Sequence, residues 1–217
     1  MAKFMAQRQE IADMSRYFAD NGYFAGTGGN IGVRVDRKLM AVTPSASDYS
    51  TVEAKDVVIL DIETLDIVEG DKTPTIEKGL HARMLLMHPN RHASVHTHQP
   101  IASAVALLHE SLPWPRGSDL GALGPLVALI PYRPSGTGML AKIFAKSLRP
   151  DIFAYLLASH GVICAGADLK TAAGMIRKIE AAAAAHLRDR INKHVNLDRQ
   201  LQAFILNVLD KAETKGA

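Results

Sequence analysis

Ala93-Ser94-Val95-His96-Thr97-His98-Gln99-Pro100 alternates small or branched residues with polar ones and closes on a proline. Residues 93–98 therefore read as a strand, and Pro100, tolerated in a first helical turn, opens a helix through residue 108. Strand side chains alternate faces, so His96 and His98 project to the same side. Two imidazoles on one strand face after a β-branched lead-in are poorly suited to a core. A third, His160 of Ser159-His160-Gly161, ends a separate apolar run and would complete an open three-histidine metal site.

Outward from that strand, periodicity predicts helices over 5–20 and 75–88, the second with Ile76, Leu80, Met84 and Met87 as a core stripe. Strands are expected over 31–35, 39–42, 57–62 and 66–69, with a hairpin turn at Asp36-Arg37-Lys38. Beyond the central strand come a Gly- and Pro-rich loop over 112–125, a strand over 126–132, a helix over 138–148 and a strand over 153–158. Asp168 caps a long Ala-rich helix running towards His194, and residues 201–211 form a last helix. Strands interleaved irregularly with helices predict an α/β fold with a central mixed sheet, and no boundary interrupts residues 1–217, which read as a single domain.

At 217 residues and 47% hydrophobic, the chain can bury a sizeable core. A net charge of +3 is too small to imply a nucleic-acid partner, and no apolar run approaches the ~18 residues of a membrane span. The N-terminus lacks the apolar run of a signal peptide, and Cys164 is the only cysteine, in an apolar segment that predicts a buried thiol. A cytoplasmic protein is expected.

Glu77, expected in the first turn of the 75–88 helix, sits where the macrodipole favours a carboxylate. It is either the acid/base partner of the metal site or a surface glutamate. His81, four residues on, either orients Glu77 or is itself a surface residue. His88, His92, His109, His186 and His194 fall at helix ends or polar loops and read mostly as surface histidines. Gly26-Thr27-Gly28-Gly29-Asn30 offers backbone amides and short polar side chains, a possible anion nest as well as an ordinary hairpin entry.

Taken in order, Gly26-Thr27-Gly28-Gly29-Asn30, Val42-Thr43-Pro44-Ser45, Pro74-Thr75-Ile76-Glu77, Val95-His96-Thr97-His98, Pro131-Tyr132 with Gly136-Thr137, and Ser159-His160-Gly161 resemble the class II aldolase/adducin family. The resemblance implies a three-layer fold with a mainly antiparallel or mixed central sheet flanked by helices. It also implies a homotetramer with active sites at subunit interfaces. It places metal ligands on His96, His98 and His160, acid/base chemistry on Glu77, and phosphate binding on Thr27, Asn30, Ser45 and Thr75. The chain departs from the pattern at Ala46, where a glycine is usual, and at Ile76, where a second hydroxyl is usual. The tyrosine that fuculose-phosphate aldolases bring to a neighbouring site has no counterpart between Leu108 and Pro131, leaving Trp114, Ser118, Asp119 or a different proton donor for that place.

The implied function is a metal-dependent lyase of aldolase type. It would cleave a ketose phosphate or related hydroxy-keto acid through a metal-stabilised enediolate, with Zn2+, or another divalent ion such as Co2+ or Mn2+, as cofactor. A decarboxylase or dehydratase on the same scaffold is an alternative. So is a non-catalytic oligomerisation module with a structural metal, although structural zinc is normally closed by four protein ligands.

Overall fold

In the computed structural model, residues 3–115, 124–194 and 196–215 are described. Among the described residues, nine strands form one sheet in the order β4-β3-β2-β1-β5-β9-β8-β7-β6. They are β1 (Asn30–Arg34), β2 (Leu39–Val42), β3 (Val58–Asp61), β4 (Ile67–Glu69), β5 (Ala93–Thr97), β6 (Leu112–Pro113), β7 (Leu126–Ile130), β8 (Ala154–Leu157) and β9 (Gly161–Gly166). Every neighbouring pair is antiparallel except β7 and β8.

Strand alternation sorts this sheet into two buried faces. Ile31, Val33, Val95, Val162 and Cys164 pack with Ile11 and Phe18 of α1 (Met5–Asp20), Ile101 and Val105 of α3 (Pro100–Ala106), and Ile176 and Ile179 of α5 (Leu169–Lys193). On the other face, Ile130, Tyr155, Leu157 and Ile163 meet Leu80 and Met84 of α2 (Lys78–Met87) and Leu140 and Phe144 of α4 (Gly138–Ser147). Helix, sheet and helix make three layers, and the last helix, α6 (Arg199–Lys215), adds Leu209 to the first. Asp168 caps α5 as expected, accepting from Thr171 N at 2.6 Å. Cys164 is fully buried, which pushes its thiol up to about 12.

Two readings need correction. The stripe assigned to a helix over 75–88 is only half core: Leu80 and Met84 are buried, whereas Ile76 is 63% and Met87 36% exposed. The helix begins later because Thr75 holds a turn ahead of it, its hydroxyl accepting from Glu77 N and its carbonyl from Lys78 N. Glu77 is thus the residue immediately before α2 rather than within its first turn. His88 is buried rather than on the surface, with its ring against Phe153.

Candidate active site

The sheet order puts β1, β5 and β9 side by side, with Asn30 opposite His96 and His96 opposite Ile163. One end of the sheet therefore collects Asn30 at the start of β1, His96 and His98 at the end of β5, and His160 just ahead of β9. A ladder contact between Pro44 and Pro74 carries Ser45 and Thr75 to the same end. Thr27, Asn30, Ser45, Thr75, Glu77, His98 and His160 all line one cavity of about 230 Å3.

His96, His98 and His160 each offer a nitrogen, and the three ligand atoms lie within 4.8 Å of one another. His96 Nδ1 is 2.8 Å from the Val162 carbonyl, which can only accept, so the proton sits on Nδ1 and Nε2 faces the cluster as a lone pair. Glu77 Oε2 lies 3.2 Å from that nitrogen, and Oε1 lies 3.5 Å from His160 Nε2. Burial lowers the basicity of all three histidines and keeps them neutral. Burial raises the Glu77 carboxyl, whereas positive charge at His96, the hydrogen bond from the Asn30 amide, positive charge at His160 and the hydrogen bond from Ser135 lower it. The balance holds the group below the usual carboxylate range, and with the imidazoles neutral the two hydrogen bonds are the part that persists.

The His96 Nε2 lone pair and the Glu77 carboxylate thus face one point, with His98 Nε2 2.9 Å from His96 Nε2 and His160 Nε2 3.5 Å from Glu77 Oε1. Facing electron-rich atoms favour a proton or a cation between them, and three imidazoles with an adjacent carboxylate are a donor set suited to a divalent metal. The residues present fit such an ion.

Glu77 is held from both sides. Asn30 Nδ2 donates to Oε2 at 2.9 Å, and Ser135 Oγ donates to Oε1 at 2.9 Å. Asn30 Oδ1 is in turn 2.6 Å from His81 Nε2, and His81 Nδ1 is 2.9 Å from Ser94 Oγ. His81 is completely buried, not a surface residue, and burial pushes it down to about 3. It contacts Asn30 rather than Glu77 itself.

Ser135, between β7 and α4, carried no signal in the sequence beyond its place ahead of Gly136-Thr137. Tyr49 was likewise not singled out; it lines the cavity and donates to the Gly29 carbonyl. Trp114 donates to the Gly124 carbonyl and is not among the residues lining the cavity. Ser118 and Asp119 lie outside the described residues.

Known proteins share this arrangement of chain. The family described as class II aldolase and adducin N-terminal domain matches residues 9–187. A 5-deoxy-D-ribulose 1-phosphate aldolase of Bacillus thuringiensis is 34% identical over 176 residues, 80% of this chain and 81% of that protein. A 3-oxo-tetronate 4-phosphate decarboxylase of Haemophilus influenzae is 29% identical over 187 residues, 82% of this chain and 86% of the relative. Among solved structures, an L-fuculose 1-phosphate aldolase superposes with a TM-score of 0.78 at 27% identity, covering 97% of this chain and 98% of that one. The chain belongs to the class II aldolase and adducin N-terminal domain family.

Proposed function

We propose that residues 1–217 act as one domain of a zinc-dependent aldolase that cleaves a short ketose 1-phosphate between C3 and C4. The observation that carries this is Glu77, ionised and clamped, beside the converging nitrogens of His96, His98 and His160. These histidines would hold the ion, which when bound supplies a Lewis acid for the substrate carbonyl and for negative charge that develops as the bond breaks. Cobalt or manganese could serve in its place.

Glu77 handles the carbon-bound proton. In the synthetic direction its carboxylate takes a proton from C3 of dihydroxyacetone phosphate, and in cleavage it returns that proton to the same carbon. Asn30 and Ser135 keep both oxygens aimed into the cavity, so the base does not reorient between steps. Thr27, Ser45, Thr75 and the second amide proton of Asn30 line the side of the cavity proposed for the substrate phosphate. We place the protein in the cytoplasm as a homotetramer with active sites at its subunit interfaces.

The experiment is a direct comparison of two substrates suggested by the relatives. The metal-loaded protein should split 5-deoxyribulose 1-phosphate into dihydroxyacetone phosphate and acetaldehyde. Release of carbon dioxide from 3-oxo-tetronate 4-phosphate, without cleavage of the ketose phosphate, would instead establish the decarboxylase reading that the Haemophilus relative favours.

A further inference from the structure

We propose that His81 is a positioning residue that fixes the Asn30 side-chain amide in the orientation that donates to Glu77; the kinetic part of this inference rests on the aldolase reading above. The hydrogen bonds leave only one direction for the chain of contacts. A carboxylate accepts and cannot donate, so the nitrogen of the Asn30 amide, not its oxygen, must face Glu77 Oε2. Asn30 Oδ1 then points at His81 Nε2 and needs a proton from it. His81 therefore carries its proton on Nε2, and its Nδ1 is an acceptor that the Ser94 hydroxyl satisfies. Each group has one role, and each role depends on the one before.

An amide has two orientations of nearly equal shape. With no donor behind Oδ1, the amide oxygen would be left unpaired in a buried site, and the amide could tilt out of line with the Glu77 carboxylate. The His81 Nε2–H holds it in line. The sheet also makes room for the ring at this place. Gly32 is the register partner of Ser94, and a Cβ on Gly32 would lie 2.7 Å from His81 Cβ and 2.8 Å from its Cγ. A histidine that only filled the core would not need polar partners on both nitrogens. Phenylalanine could replace such a space-filling histidine with little kinetic effect.

The test is a double-mutant cycle on wild type, His81→Phe, Asn30→Ala and the double variant. It follows deuterium uptake into dihydroxyacetone phosphate in D2O, with metal per chain and thermal midpoint measured on each protein. His81→Phe should lower kcat for exchange by about 10–100-fold, with KM and metal content close to wild type. In the Asn30→Ala background the same substitution should cost less than about twofold, because its effect passes through Asn30. His81→Gln, which keeps a donor, should recover most of the loss. Ser94→Ala, a milder change that keeps the ring, should lower exchange in the same sense.

Equal losses in both backgrounds, loss of metal, or full activity in His81→Phe would overturn the proposal. If the wild type shows no exchange, the aldolase reading has failed and the positioning claim is judged by crystallography instead. There the Glu77 carboxylate should leave its place beside His96 Nε2 in His81→Phe (or in Ser94→Ala, should His81→Phe not fold) while α2 stays put. An unmoved carboxylate would contradict it.

Discussion

Glu77 Oε2 stands 3.2 Å from His96 Nε2, with the imidazole proton committed to the Val162 carbonyl on the ring's far side. Two electron-rich atoms face one another across that gap, and His98 Nε2 is 2.9 Å from the same nitrogen. Burial keeps these charges and lone pairs from being screened by water.

A bound cation should therefore stabilise the folded chain strongly. Thermal midpoints measured with and without zinc should rise with zinc concentration, reaching about 2.7 kcal/mol of added stability at a hundredfold excess over the dissociation constant. His96→Ala should abolish the shift. A midpoint indifferent to every divalent ion tested would contradict the site.

Gly28 meets His98 so closely that a Cβ there would lie 2.5 Å from His98 Nδ1 and 2.7 Å from Cε1. Gly28→Ala should displace this ring and weaken metal affinity, read by competition with a chromogenic chelator. Global stability should fall by only about 1–3 kcal/mol, the usual cost of overpacking. Unchanged affinity in a folded variant would show that His98 is not a ligand.

Ala46, on the cavity wall, has φ +50°, a left-handed conformation that costs a residue with a Cβ about 1–2 kcal/mol. The departure from glycine noted in the sequence is thus a strained position. Ala46→Gly should be neutral to stabilising, by up to about 1 kcal/mol in denaturant unfolding. Destabilisation would mean that the alanine methyl packs favourably.

Glu180 on α5 accepts from Ile101 N and Ala102 N at 2.8 Å each, pinning the start of α3 directly after His98. Burial raises its pKa, against the opposing effect of those two N–H groups. The native state then holds the proton more tightly than the unfolded chain. Its contribution is largest below the ordinary value of 4.5 and declines as pH rises through the raised one. The stability of wild type relative to Glu180→Gln should accordingly shrink as pH increases across that window. A difference that grows with pH would contradict this assignment.

Much of the fold was legible because its signals are local. Alternation marked the 93–98 run, where Val95 turns to one face while Ser94 meets His81 on the other, and the Asp168 cap announced α5. The end of β5 was less sharp: His98 follows the strand rather than ending it, although its ring still meets that of His96. The start of α2 was misplaced because Ile76 continues the apolar spacing while the Thr75 turn delays the helix. Contacts such as Asn30 with Glu77, or Ser135 with Glu77, join residues 47 and 58 positions apart and leave no pattern in either segment. The histidine cluster suggested itself through His-x-His, but nothing local distinguished His81 as buried rather than exposed.

The most direct measurement follows deuterium incorporation into dihydroxyacetone phosphate by NMR, using zinc-loaded wild type beside Glu77→Gln of equal metal content. The account predicts uptake of one deuterium at C3 by the wild type and a rate at least about 100-fold lower in the variant. No uptake by the wild type, or equal uptake by both proteins, would contradict the claim that Glu77 transfers the proton beside a metal held by His96, His98 and His160.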